Sequence, residues 1–514
     1  MLFAAANADQ DPIPSLTGAP PLKLHVTLKH KSSRIHGQSE FDVFAKPIVS
    51  KDGSRVLYDG YSTFIDEGAA YTYLFVNGAG YVMTNDTAKL TNSETVRCIP
   101  PSALPFHTIL PALNELVAIP SASIGDESIE CGSGRLFKTT FSGARVAVCG
   151  LGSSGPTAYS SDFTIQVKYL NNLSAPALNR TILTCPTEAN SIVMTPTAAA
   201  LLTGNAFPPT SSRNLKITEH MAMEASTCKC KSKPRPCVFF HGIGNYHEME
   251  ELQDTPKNTS GRMGNMNDHA PCCTTVKYAV LNTMDYSWTS DSLQQKFCDR
   301  ALRLSETSDA ESGIIEDTVV VTHSMAGLVM SMALATGKCS FGEGSSWVAI
   351  SSPMTGTMAV DYFQDFCNDE ISAIATELLD AIGQCPMPVS RRSLMYENGK
   401  YATKKLNAAY AAAQEAYRGN VSAAMCSDSY VGLFSVYRPI MIAAGKFVPH
   451  KSSENDGLVE YQSCARGIKT KGFGNTYKDT FYTAKLNHAD MVFLNGDGLF
   501  GDSRKPVKWF ECLL

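Results

Sequence analysis

The chain has 514 residues, 44% of them hydrophobic and 18% charged, and a formal net charge of -5 at pH 7. That length exceeds one ordinary core, so two or three domains are expected. The acidic balance, with no basic run longer than KCKSKPR (Lys229 to Arg235), excludes a nucleic-acid surface, and no window reaches the roughly 18 consecutive apolar residues of a membrane span.

From the start, MLFAAANA (Met1 to Ala8) has the Ala-x-Ala ending of a secretory leader without its basic beginning, and reads as a truncated signal-peptide remnant over 1–8. Residues 9–225 read as a β-rich region of one or two domains. LKLHVTL (Leu22 to Leu28), AYTYLFV (Ala70 to Val76) and TIQVKY (Thr164 to Tyr169) alternate in polarity or carry β-branched and aromatic residues. Asn77-Gly78 and Ser142-Gly143 predict tight turns between strands, and PPTSS (Pro208 to Ser212) is a loop.

The pattern changes near Lys231. CVFF (Cys237 to Phe240) reads as a strand, Leu293 to Leu304 as a helix, Ile314 to Thr322 as a strand, Met325 to Thr336 as a helix and WVAI (Trp347 to Ile350) as a strand. Strands alternating with longer helices predict a mainly parallel α/β sheet over 231–514. Residues 361–418 read as helical. Phe366, Ile371, Ile374, Leu378, Leu379 and Ile382 recur at near-helical spacing, and Lys404 to Tyr417 is Ala-rich. These helices could form a lid or cap, or serve as ordinary crossovers.

The stretch VVVTHSMAGLV (Val319 to Val329) raises the functional question. Ser324 between an apolar strand and a helix could be an N-cap. It could also be a nucleophile on a sharp turn, with the Met325 N–H aimed at a developing oxyanion. HGIG (His241 to Gly244) offers a second donor at Ile243, with Gly242 and Gly244 keeping the loop uncrowded and His241 shaping it. A serine hydroxyl needs a base. His488, in AKLNHADMV, is the first choice and His450 a competitor; His25, His30 and His36 precede the α/β half. The acid that orients the imidazole is best supplied by Asp456 in NDGLVEY, which could equally be a turn-stabilising residue. Asp490 lies too near His488 in sequence to come first, and Asp361 and Asp365 are further alternatives.

Taken together, these segments resemble the α/β-hydrolase superfamily, and within it the secreted triacylglycerol lipases. The elbow Gly-x-Ser-x-Gly appears as THSMA (Thr322 to Ala326), with both glycines replaced. HGIG resembles the oxyanion loop, NDGLV (Asn455 to Val459) the acid loop, NHAD (Asn487 to Asp490) the histidine segment, and SSPMTGT (Ser351 to Thr357) the segment after the next strand. The likeness covers about 234–495. It implies a serine lipase with Ser324, Asp456 and His488 in Ser–acid–His order, acting on acyl esters such as those presented at a lipid–water interface, without an organic cofactor. Some such lipases hold structural calcium, but no complete site maps onto this sequence. Carboxylesterase, phospholipase and thioesterase are alternatives, as is a non-catalytic extracellular binding protein on a hydrolase fold. The front region has no recognised counterpart and could bind lipid, carbohydrate or protein. Met325 and Leu328 could line an acyl cleft or simply pack in the core.

Sixteen cysteines, all from Cys98 onward, and Asn-x-Ser/Thr acceptors at Asn85, Asn172, Asn179, Asn258 and Asn420 point to a secreted, disulfide-bonded glycoprotein. Cys228, Cys230 and Cys237, with Cys272 or Cys273, could instead hold zinc, although their spacing is not a paired Cys-x-x-Cys signature.

Overall fold

The computed structural model describes residues 16–514 apart from 67, 87–93, 100–105, 133, 151–154, 175–184, 188–189, 209–218, 225–227, 369, 371–384, 434, 436, 469–471 and 500. The leader-like start, Asn179, most of PPTSS, and Ile371 to Ile382 of the expected helix therefore lie outside the described residues. The chain divides into two compact units, Met1–Ser226 and Thr227–Leu514.

The first unit is mostly antiparallel sheet. Its strands are β1 (Leu22–Leu28), β2 (Glu40–Val49), β3 (Arg55–Asp66), β4 (Ala69–Val76), β5 (Ala79–Asp86), β6 (Glu94–Ile99), β7 (Val117–Ala118), β8 (Ala122–Ile124), β9 (Glu127–Ser128), β10 (Arg135–Phe141), β11 (Ala144–Gly150), β12 (Thr157–Tyr159), β13 (Phe163–Tyr169), β14 (Ile192–Val193) and β15 (Met221–Met223), with helices α1 (Phe106–Asn114) and α2 (Pro196–Thr203). The large sheet runs β6-β5-β4-β3-β2-β1-β13-β12-β11-β10-β7. Both expected turns close hairpins within it. Asn77 and Gly78 join β4 to β5 at φ 50° and 79°, and Ser142 and Gly143 join β10 to β11 at φ 47° and 86°. Two successive positive φ values suit the right-handed twist of the flanking strands.

The second unit holds a seven-stranded sheet, parallel throughout. Its members are β16 (Arg235–Phe240), β17 (Cys273–Ala279), β19 (Val319–His323), β21 (Ser346–Ile350), β22 (Val421–Ser427), β23 (Phe473–Gly474) and β24 (Phe481–Ala484), in the order β17-β16-β19-β21-β22-β24-β23. Alternate side chains go to opposite faces. Val238, Phe240 and Val320 pack on one face beneath α3 (Asp291–Leu302), α4 (Met325–Ala335) and the later crossover helix; Cys237, Phe239, Val319 and Val321 pack on the other against Met491 to Phe493 and a C-terminal helix. Burial on both faces explains the unbroken apolar run Val319 to Val321 in β19. Each large aliphatic side chain so buried contributes about 1.5–3 kcal/mol.

The strand expected over Ile314 to Thr322 is two. β18 (Ile314–Ile315) pairs with β20 (Ser340–Phe341) in a separate ribbon, and β19 starts at Val319. The charged pair Glu316-Asp317 separates them, with Asp317 at φ 43°. Two carboxylates do not belong in a sheet interior, so the chain leaves the extended conformation there.

After β21 come α5 (Met358–Cys367), α6 (Val389–Arg392), α7 (Lys404–Asn420) and β22. Because β22 pairs parallel with β21, α7 is a crossover helix; it buries Tyr410, Ala413, Gln414 and Tyr417. Then follow α8 (Arg438–Phe447), α9 (Tyr461–Cys464), β23, β24 and α10 (Pro506–Leu513). Met325 and Leu328 are fully buried in the core, which makes them packing residues.

All sixteen cysteines are paired: 98–185 and 131–149 in the first unit, 228–512, 230–272, 237–273, 298–339, 367–385 and 426–464 in the second. Zinc at Cys228, Cys230 and Cys237 is thereby overturned, since a disulfide sulfur has no thiolate to offer a metal. Among the described residues no helix is long and apolar enough to cross a membrane.

Candidate active site

The strand β19 ends at His323, and Ser324 turns the chain at φ 56°, ψ -128° into α4. A non-glycine residue in that region is strained, and such strain collects at functional turns. Its N–H donates to the Ile350 carbonyl at 2.9 Å, so the turn is tied to β21. Ser324 occupies the N-cap position of α4 yet makes no side-chain cap bond. Its hydroxyl instead meets His488 Nε2 at 3.0 Å.

The two replaced glycines of the elbow have physical explanations. Thr322 points into the core, where its hydroxyl accepts the Trp347 indole N–H at 2.9 Å. Close approach occurs one residue beyond Ala326. A Cβ on Gly327 would collide with the Ser352 side chain.

His488 follows β24 on a loop whose main chain is pinned by its own N–H to the Asp456 carbonyl, 2.9 Å. Its Nδ1 lies 2.8 Å from Asp456 Oδ2. Asp456 divides its oxygens. Oδ1 accepts the N–H groups of Leu458 and Val459 at 2.9 and 2.7 Å, which holds the turn, while Oδ2 faces the imidazole. The two sequence readings of Asp456 are thus compatible. Burial alone would push the Asp456 carboxyl up; the charge and hydrogen bond of His488, then Ser351 and the Val459 N–H, outweigh it and hold the group below its ordinary value.

Ser351 is the residue that sequence reasoning missed. It follows β21 at φ 46°, its hydroxyl donates to Asp456 Oδ2, and the Ser351 Oγ also lies 3.1 Å from His488 Nδ1. The only signal was its place at the head of SSPMTGT, which carries no indication that the side chain reaches residues 105 and 137 positions away.

The HGIG loop lies beside Ser324: a Cβ on Gly242 would sit 2.8 Å from Ser324 Cβ and 3.2 Å from His323 Nδ1. The loop is held by His241, whose Nδ1–H donates to the Gly242 carbonyl at 2.8 Å and whose Nε2 accepts the Leu281 N–H at 3.2 Å. Those partners set the tautomer, because a carbonyl can only accept and an amide N–H only donate. Burial, partly offset by the Gly242 carbonyl, lowers the His241 pKa to about 4, so the ring is neutral near pH 7. Thr283 Oγ1 also donates to Gly242 O, at 3.0 Å. The Ile243 N–H has no protein acceptor among the described residues, and the Met325 N–H is at the first position of α4, ahead of any intrahelical partner. His323 packs its ring 4.7 Å from that of His488, and burial followed by the neighbouring His488 keeps it well below the usual histidine range.

The other candidates stand elsewhere. His450 Nδ1 meets Glu460 Oε1 at 3.1 Å. His25 pairs with Asp42 and His36 with Asp66 and Tyr73, while His30 faces Asp162, all within the first unit. Asp361 accepts the Tyr396 N–H, and Asp365 pairs with Tyr401 and Lys400. Asp490 takes the Leu433 N–H at 2.6 Å and Asn495 Nδ2 at 2.8 Å. The surroundings of Asp490 do not fit calcium. Arg438 and Arg504 already place positive charge beside it, and no three His, Cys, Asp or Glu side chains converge on a metal-sized site among the described residues.

A hydroxyl, an imidazole and a carboxylate linked in that order can pass a proton from oxygen to nitrogen, beside two uncommitted backbone donors. The second unit is a parallel α/β sheet covered on both faces, and the sharp turn at Ser324 follows its interior strand β19. Among solved structures the chain is similar to the lipase of Staphylococcus hyicus (13% identity, 55% of this chain, 93% of the other, TM-score 0.29) and to a prolyl endopeptidase from a study of two such enzymes (9% identity, 81% of this chain, 61% of the other, TM-score 0.19). No family model and no curated protein matches the sequence.

Proposed function

We propose that the chain is an extracellular serine hydrolase of carboxylic esters, a lipase acting on acylglycerols through an acyl-enzyme. The observation that carries this reading is the Ser324 hydroxyl, released from helix capping and set 3.0 Å from His488 Nε2, whose other nitrogen lies 2.8 Å from Asp456. Ser324 Oγ attacks the ester carbonyl carbon while its proton passes to His488 Nε2. Asp456 keeps the second proton on Nδ1 and favours the imidazolium that forms. The carbonyl electrons move to oxygen, where the N–H groups of Ile243 and Met325 stabilise them. As the tetrahedral intermediate collapses, the C–O bond to the alcohol breaks and His488 protonates the departing oxygen. Water, deprotonated by His488, then attacks the acyl carbon, and the acid leaves as Ser324 regains its proton.

Complete pairing of the cysteines supports an oxidising compartment. Asn85, Asn172, Asn258 and Asn420 are all exposed, as glycan acceptors must be. The test is Ser324→Ala, expected to retain the melting temperature and lose at least about 10⁴-fold in kcat on acyl esters. Normal hydrolysis by the folded variant would reject the reading. Turnover of long-chain acylglycerols that rises at an oil–water interface distinguishes a lipase from a carboxylesterase, which would favour short soluble esters.

A further inference from the structure

A second imidazole lies at the site and the proton relay does not use it. His323 ends β19, and alternation puts its side chain on the same face as Val319 and Val321, which pack with Met491 to Phe493. That face meets the segment carrying His488, and the two imidazole rings lie 4.7 Å apart, centre to centre, with their planes tilted by 48°. The His323 ring also borders the HGIG loop, where a Cβ on Gly242 would sit 3.2 Å from its Nδ1. His323 therefore reaches both the base and the oxyanion loop.

The ring is buried, and neither of its nitrogens has a partner at hydrogen-bond distance among the described residues. Unsatisfied buried polar atoms are destabilising, and an aliphatic side chain on this apolar face would fill the space without them. An imidazole adds a compact aromatic face beside a ring that becomes cationic. In the proposed reaction His488 takes the Ser324 proton at each tetrahedral step, so a positive charge forms against His323. Aromatic faces attract a neighbouring cation, more strongly where water is excluded. The attraction requires His323 itself to stay neutral. Burial secures this first, then the neighbouring His488, with Arg262 and His241 acting the same way and the His488 main chain offsetting them only in part. Asp456, 2.8 Å behind His488, directs the proton to His488 and not to His323.

We propose that His323 is a positioning residue for His488, a neutral aromatic floor that supports the His488 imidazolium each time the Ser324 proton arrives. This rests on the ester-hydrolase reading and deepens it. The experiment follows the side-chain titrations of His323 and His488 by NMR of the intact, disulfide-bonded chain labelled at histidine, and measures kcat and KM on an acyl ester across pH. His323→Leu and His323→Gln both remove the ring, one with apolar and one with polar volume, so a folding defect in one leaves the other decisive. Each should lower the His488 midpoint by about half a unit to one unit, roughly a threefold to tenfold loss of basicity, while His323→Phe keeps most of it. The kcat of the ring-less variants should fall several-fold with KM unchanged, and the acid limb of the profile should move to lower pH. The melting temperature of His323→Leu should rise, because two unpartnered polar atoms are removed. An unchanged or raised His488 midpoint in either folded ring-less variant overturns the proposal, as does a fall in His323→Phe as large as in His323→Leu, or a His323 ring that takes its proton before His488. The titration needs no turnover. A lowered midpoint without ester hydrolysis keeps the pairing of the two rings and rejects the hydrolase reading; hydrolysis with an unchanged midpoint does the reverse.

Discussion

Removing one hydroxyl, in Ser351→Ala, tests whether the carboxylate behind His488 is tuned as the geometry implies. Asp456 is buried and carries its charge on four donors: the Leu458 and Val459 N–H groups on Oδ1, and His488 and Ser351 on Oδ2. A hydrogen bond to a charged group contributes about 1.5–3 kcal/mol, and here three donors remain, so the lower half of that range applies. At 1.36 kcal/mol per factor of ten, kcat on an acyl ester should drop about tenfold to fiftyfold with KM little changed. The loss has a pH signature. A carboxyl held below its unfolded value contributes stability that is complete above the unfolded pKa and lost as pH falls through the folded one. Ser351→Ala weakens that contribution, so its deficit in melting temperature should be largest near neutral pH and disappear in strong acid. Ser351 sits at φ 46°, and Ser351→Gly relieves the strain while losing the same hydroxyl. Both variants should therefore share the kcat deficit although only Ser351→Gly recovers backbone energy. Native kcat and an unchanged pH dependence in Ser351→Ala would refute the reasoning.

Gly242→Ala places a Cβ 2.8 Å from Ser324 Cβ, so ester turnover should fall at least about a hundredfold in steady-state assays while near-ultraviolet circular dichroism keeps its native form. Asp361 is buried, and desolvation raises its pKa to about 6. Its protonated form favours the fold below the unfolded carboxyl pKa, and that advantage disappears as pH rises through about 6. Asp361→Asn, which can still accept the Tyr396 N–H, should gain melting temperature relative to the native chain at pH 8 and not at pH 4. The Cys228–Cys512 disulfide spans 284 residues, and replacing both by serine should cost about 2–5 kcal/mol in denaturant titration.

How far the sequence disclosed these features depended on the distance over which each is determined. The elements β1, β19 and α7 were legible because alternation or helical period is local, and Asn77-Gly78 because a turn is decided by its own backbone. Ser324, Asp456 and His488 were legible as separate types in separate contexts, and their meeting depends on the sheet order that brings β19 and β24 to opposite sides of β21 and β22. Ser351 was hidden because a hydroxyl after a strand is unremarkable until the 455–460 loop arrives behind it. The splitting of Ile314 to Thr322 was present in the sequence as Glu316-Asp317, and apolar content on either side obscured it. Cysteine composition indicated pairing without specifying partners, because which sulfurs meet is a property of the folded sheet.

The central claim is that Ser324 is an activated nucleophile. The most direct test is labelling of the intact, disulfide-bonded chain with a fluorophosphonate, with and without a detergent or lipid interface, followed by peptide mass analysis. The account predicts one adduct, on Ser324, abolished by Ser324→Ala and strongly reduced by His488→Ala. An adduct on another serine, or no adduct on folded protein under either condition, would contradict it.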